Sequence, residues 1–206
     1  MAQGLGGRWA TGRLPHVPST LDELAVVAST CTRCALAAGR TQVVFGTGDP
    51  AAQLLFVGEA PGAEEDRQGL PFVGRSGQLL DKLLLEEMGL TRDRVYIANV
   101  VKCRPPDNRD PKPDEIVACR PYLQSQIELI DPRVVVTLGK FAGQLLLDST
   151  VPITKLRGQA YPFGGAVLVP TVHPAYALRG GGEVLAQMRA DFVRAKNELA
   201  RAGAAT

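Results

Sequence analysis

Leu54-Leu55-Phe56-Val57, followed at once by Gly58-Glu59-Ala60-Pro61-Gly62, is the stretch on which the fold turns. Four large apolar residues in a row, without polar alternation, predict a strand buried on both faces. The turn that ends it has glycines at both edges, where missing side chains let backbone amides approach a planar or anionic ligand. Three further short runs repeat the pattern: Val95-Tyr96-Ile97, Val134-Val135-Val136 and Val167-Leu168-Val169.

Helical patterns separate these runs. Ser76 to Met88 carries Leu79, Leu80, Leu83 and Leu84 on one face, with Gly89 as a stop. Pro113 to Ile130 and Lys140 to Leu147 follow, and Glu183 to Ala202 predicts a terminal helix. Pro121 removes a ladder bond inside the second of these, so a restart or kink is expected there. Before the first strand, Ser19 or Thr20 can cap a helix that delivers the chain to Cys31. Strand and helix therefore alternate, which predicts an α/β fold with a parallel sheet covered on both faces. In such sheets ligands bind beyond the carboxyl ends of the strands.

Length and composition fit one compact domain over 19–206, preceded by a flexible arm over 1–18 that mixes Gly, Arg and Pro without periodicity. Lys and Arg number 23 against 21 for Asp and Glu, so a polyanion contact has to come from local patches. No run approaches the roughly 20 apolar residues of a membrane span, and the start of the chain lacks the apolar segment of a signal peptide. A soluble, cytoplasmic protein without a membrane partner is expected.

Four cysteines in a reducing compartment do not suggest two disulfides. Cys31-Thr32-Arg33-Cys34 forms a Cys-x-x-Cys turn, and Cys103 and Cys119 flank a Pro-rich loop. That set suits zinc or an iron-sulfur cubane, and composition does not separate the two. Phe72, on a loop between glycine-containing turns, has no periodic core position to fill and could serve as a stacking platform. Asn99 follows a buried strand with a carboxamide that donates and accepts together. His173 precedes Pro174; the other histidine, His16, lies in the expected arm, so imidazole chemistry in the domain falls on His173.

Taken together, Gly58-Glu59-Ala60-Pro61-Gly62, Pro71-Phe72-Val73-Gly74, Asn99-Val100-Val101-Lys102-Cys103-Arg104-Pro105-Pro106 and His173-Pro174-Ala175-Tyr176 closely resemble the family-4, iron-sulfur uracil-DNA glycosylases. The likeness runs from Cys31 to Arg179 in unbroken order. It implies a three-layer α/β/α sandwich around a central four-stranded parallel sheet, with a [4Fe-4S] cluster on Cys31, Cys34, Cys103 and Cys119. It also implies monofunctional hydrolysis of the bond between uracil and deoxyribose in single- and double-stranded DNA, leaving an abasic site in base excision repair.

Carried onto this sequence, the resemblance puts the uracil pocket at Gly58, Ala60, Phe72, Asn99 and His173. Phe72 stacks on the flipped base, Asn99 reads its polar edge, and His173 bonds the O2 oxygen. Glu59, Glu65 and Asn108 each remain open as the group that positions the attacking water. Arg75, Ser76, Arg104, Arg109, Lys112 and Arg179 are candidates for backbone phosphates, and the segment with Tyr176 and Leu178 for a wedge in the duplex. A monomer associated with the nucleoid of a prokaryotic-type cell is expected. The competing reading is a protein that captures uracil-DNA without turnover; a related branch does so through a histidine in a basic insert. No histidine lies between Cys103 and Cys119 here, which favours turnover.

Overall fold

The structure, a computed structural model, describes residues 18–204. Apart from Pro18, the expected arm lies outside the described residues. In chain order the regular elements begin with α1 (Leu21–Ser29), β1 (Thr47–Gly48), β2 (Leu54–Gly58), α2 (Ala63–Gln68) and α3 (Arg75–Leu83). Next come β3 (Tyr96–Asn99), α4 (Pro113–Ile130), β4 (Val134–Leu138), α5 (Lys140–Leu146) and α6 (Ile153–Leu156). The chain closes with β5 (Tyr161–Phe163), β6 (Ala166–Thr171), α7 (Pro174–Arg179) and α8 (Gly181–Ala204).

The sheet has six strands in the order β1-β3-β2-β4-β6-β5. Its centre is the expected parallel quartet: β2 pairs in parallel with β3 and with β4, and β4 in parallel with β6. The sheet is nevertheless wider than four strands, because the short β1 and β5 add antiparallel edges. Neither edge was legible: Thr47-Gly48 is too short to show a period, and Pro162 interrupts the other.

The unbroken apolar run of β2 is divided by the pleat. Leu55 and Val57 join one core cluster with Ala98, Val135 and Leu168, while Leu54 and Phe56 join a second with Ile97, Val136 and Val169. Both clusters exclude water, which is why no polar residue alternates along the strand. Leu24 of α1 and Leu123 and Ile127 of α4 cover the first face. Leu80 and Leu83 of α3 and Met188 and Phe192 of α8 cover the second, with the Phe56 and Phe192 ring centroids 5.5 Å apart.

Helix ends follow their local chemistry. Thr20 caps α1 by accepting from the Glu23 amide, and Glu23 in turn accepts from Ser19. The helix expected over Ser76 to Met88 is α3 extended by a π-turn, Leu84–Met88, that Gly89 ends in the left-handed region. Pro121 is carried inside α4 without ending it, so of the expected restart or kink the restart does not occur. Its ring is buried, and packing of the α4 face holds the helix together across the missing bond. Among the described residues no helix is long and apolar enough to cross a membrane.

Candidate functional site

The connections leaving β2 and β4 run to opposite sides of the sheet, since β3 lies on one flank and β6 on the other. A crevice opens where they part, beyond the carboxyl ends of the strands. It is a cleft of about 620 Å³ whose wall includes Glu59, Ala60, Phe72, Asn99, Asn108 and His173. The sequence candidates from four separate loops therefore meet in one place.

Asn99 ends β3 with its Oδ1 sealed from solvent and without a hydrogen-bond partner among the described residues. A buried acceptor left unpaired is costly, and it marks where a donor is missing. Gly58, its register partner on β2, brings the groups together: a Cβ there would stand 2.4 Å from Asn99 Oδ1 and 2.5 Å from the Phe72 ring. Phe72 is buried, and its ring centroid lies 5.9 Å from that of His173 with the planes tilted by 30°.

His173 caps α7. Its Nδ1 accepts from the Ala175 amide at 3.1 Å, which leaves that nitrogen without a proton. Burial, reinforced by Arg179 and opposed by Glu65, brings its pKa down to about 4. At neutral pH the ring is uncharged and carries its proton on Nε2.

The three acidic or amide candidates differ sharply in what they are already doing. Glu65 is occupied: Oε1 accepts from the Val73 and Gly74 amides, both at 3.0 Å, and Oε2 from the Gly62 amide at 3.1 Å. It ties the turn after β2 to the Phe72 loop. Asn108 accepts from Arg104 Nε at 2.8 Å. The Glu59 carboxyl makes no hydrogen bond among the described residues; burial first, then Asp110, raises its pKa to about 7 against the opposing pull of Lys140.

Arg75, Ser76, Tyr176 and Arg179 line the same cleft. Arg109 lines it too but commits its guanidinium to Glu115, at 2.9 and 2.6 Å. Arg104 and Lys112 lie off the cleft wall, Lys112 at the start of α4, where its amide donates to Glu115. Tyr176, on the cleft wall, is 46% exposed, and Leu178, on the same helix α7, is 44% exposed.

The four cysteines line a separate small cavity together with Arg40, Lys102 and Tyr122. None is in a disulfide. Among the described residues no three Cys, His, Asp or Glu side chains gather tightly enough about a point to hold a metal ion. Arg40 donates to Cys103 Sγ at 3.6 Å and the Lys102 amide to Cys119 Sγ at 3.2 Å. Burial pushes the Cys119 thiol up to about 12. Lys102 joins this cavity to the cleft: it is fully buried, and its ammonium donates to the Asn99 carbonyl at 2.7 Å and to Gln126.

The family model of the uracil DNA glycosylase superfamily matches residues 45–200. The type-4 uracil-DNA glycosylase of Thermotoga maritima is 47% identical over 176 residues, covering 84% of this chain and 91% of that protein. The chain belongs to the type-4 uracil-DNA glycosylases. A second type-4 relative, from Sulfurisphaera tokodaii, is 46% identical over 167 residues, covering 77% of this chain and 76% of its own. A type-5 uracil-DNA glycosylase from Thermus thermophilus is 35% identical over 158 residues, covering 69% and 66%. This family member carries two groups that local sequence did not flag, Lys102 and Arg92. Lys102 stands out in the sequence only as part of a longer motif, and Arg92 sits on a short turn with no signal of its own.

Proposed function

We propose that the chain hydrolyses the glycosidic bond of deoxyuridine in single- and double-stranded DNA and leaves an abasic site for later repair steps. The observation that carries this reading is the orphaned Oδ1 of Asn99 at the floor of a cleft walled by Phe72 and His173. An acceptor and a donor side by side on one carboxamide match the N3–H and O4 of uracil. Cytosine presents the reverse pair, leaving both groups unpaired, a mismatch that discriminates by about 10⁴ or more. The Phe72 ring would stack on the base with little selectivity, because every base has a π-face.

In the reaction, water attacks the anomeric carbon as the bond to N1 breaks, and the electron pair leaves with the base. Negative charge gathers at O2, within the reach of the neutral His173 Nε2–H. Glu59 is the group we assign to hold the water and take its proton. Of the three candidates it alone lines the cleft with a side chain that makes no hydrogen bond among the described residues. Tyr176 and Leu178 would fill the space the turned-out nucleotide leaves, offsetting part of the few kcal/mol of flipping. Arg75 and Arg179 make no ion pair among the described residues, and with the Ser76 hydroxyl they suit backbone phosphates.

The cysteine cavity fits a [4Fe-4S] cluster. Four cysteine sulfurs line it, the donor set such a cluster takes, and two N–H groups point at those sulfurs. When bound, the cluster supplies a covalent tie between the end of α1, the segment after β3 and α4. The chain's own residues do the chemistry at the strand ends. Cys103→Ala is expected to lower iron content and melting temperature and weaken DNA binding, while the preference for uracil over cytosine stays. Iron quantitation, thermal melts and excision rates on paired substrates check this.

Gly58→Ala tests the geometry of the pocket directly. The added methyl overlaps both Asn99 and Phe72, so single-turnover excision should fall by about tenfold to a hundredfold, the worth of a lost base stack. The decisive experiment for the whole reading is anaerobic purification followed by strand nicking, after alkali, of uracil oligonucleotides in both forms. Iron-loaded protein that leaves both substrates intact would count against it.

A further inference from the structure

We infer that Arg92 is a positioning residue for excision, acting through Phe72. The inference rests on the stacking role proposed for that ring. Phe72 has φ of +54°, a left-handed conformation rare for a bulky residue and costly to hold. Such a backbone persists only where its surroundings fix it, and here they grip it from both sides.

On the amide side, Glu65 accepts from Val73 and Gly74, the two residues after Phe72. On the carbonyl side, Arg92 Nη1 donates to the Phe72 carbonyl at 2.7 Å and Nη2 to the Pro71 carbonyl at 2.5 Å. One planar guanidinium thus spans two successive carbonyls, which the single point charge of a lysine does not reproduce. Asp81 of α3 steadies the same guanidinium from 3.4 Å. Gly77 completes the seat: a Cβ at that position would lie 1.7 Å from the Phe72 carbonyl oxygen, so α3 packs directly on the clamped peptide.

The clamp fixes where the ring points. Phe72 is the residue between the two grips, and its ring lies over Gly58 and beside Asn99. Releasing the carbonyl side lets the backbone relax toward an ordinary φ and carries the ring off Gly58. Arg92 itself lines a different surface groove, with Thr47, Asp49 and Leu70, and is absent from the cleft wall. Its influence on the reaction therefore passes through the Pro71-Phe72 peptides.

The test is a double-mutant cycle on the holoprotein, with Arg92→Met, Arg92→Lys, Phe72→Ala and the two pairs. The readouts are single-turnover excision from uracil DNA, affinity for duplex with a tetrahydrofuran abasic analogue, and melting temperature. Arg92→Met should slow excision by about tenfold, the order of one lost base stack. Affinity for the abasic analogue, which offers no base to stack, should change by less than about twofold, the scatter expected of a contact left intact. Arg92→Lys should recover only part of the rate while melting close to wild type. In the Phe72→Ala background either Arg92 change should add less than about twofold.

Equal losses in both backgrounds overturn the inference and leave Arg92 a general stabiliser. Weakened binding of the abasic analogue in step with the rate overturns it as well. If Phe72→Ala alone costs nothing, it is the stacking reading that fails, which separates the two.

Discussion

His173→Ala is expected to slow single-turnover excision by about 10² to 10³, the loss typical of one removed donor to a developing anion. The backbone dictates the chemistry of this ring. Because the Ala175 amide donates to Nδ1, that nitrogen stays bare, and because burial and Arg179 hold the pKa near 4, a second proton does not arrive at neutral pH. The remaining proton sits on Nε2 and faces the cleft. A neutral donor bonds weakly to a carbonyl oxygen and strongly to an oxyanion, so the contact tightens as the glycosidic bond breaks. DNA affinity should accordingly change little. His173 also caps α7, so the alanine variant should lose about 1 kcal/mol of stability. His173→Asn, which keeps a capping acceptor but shortens the reach, should restore the melting temperature without the rate. An unchanged rate in the alanine variant would remove His173 from the mechanism.

How much of this was legible in the sequence depends on the length scale of the signal. The parallel quartet was readable because strands buried on both faces must be apolar at every position, as Leu54 to Val57 and Val134 to Val136 are. The edges β1 and β5 need no such composition and left no trace. Phe72, Asn99 and His173 could be singled out because each breaks the pattern around it at a strand end or between turns. The fate of the acidic candidates could not be read. Glu65 and Glu59 sit six positions apart on one short stretch, and only the folded chain reveals that three amides from two loops converge on Glu65. Arg109 likewise reads as a phosphate ligand until Glu115, buried at the start of α4, claims both arms of its fork. Arg92 is twenty residues from the peptide it clamps, and nothing local announces that partner.

Glu59→Gln should lower the excision rate by about 10² to 10⁴ at its plateau, the range for a lost general base, and should also change the shape of the pH profile. In the free protein Glu59 titrates near 7, raised by burial and by Asp110. Only the ionised form can accept a proton from water, so kcat/KM should climb through pH 7 and level off above it. The glutamine variant should lose that ascending limb. Stability gives an independent reading of the same group. The folded pKa lies above the ordinary carboxyl value of 4.5, so between about 4.5 and 7 the folded state holds a proton that the unfolded state has released. Stability therefore falls as pH rises through that window, and above pH 7 the deficit is complete. Glutamine removes the ionisation, so the variant should melt higher than wild type at pH 8 and alongside it at pH 4. A gain in stability exactly where activity is lost is what a strained catalytic carboxylate predicts and what a surface carboxylate does not. If melting is unchanged at pH 8 and the limb near 7 survives, the proton acceptor lies elsewhere, and Asn108, released from Arg104, becomes the residue to replace.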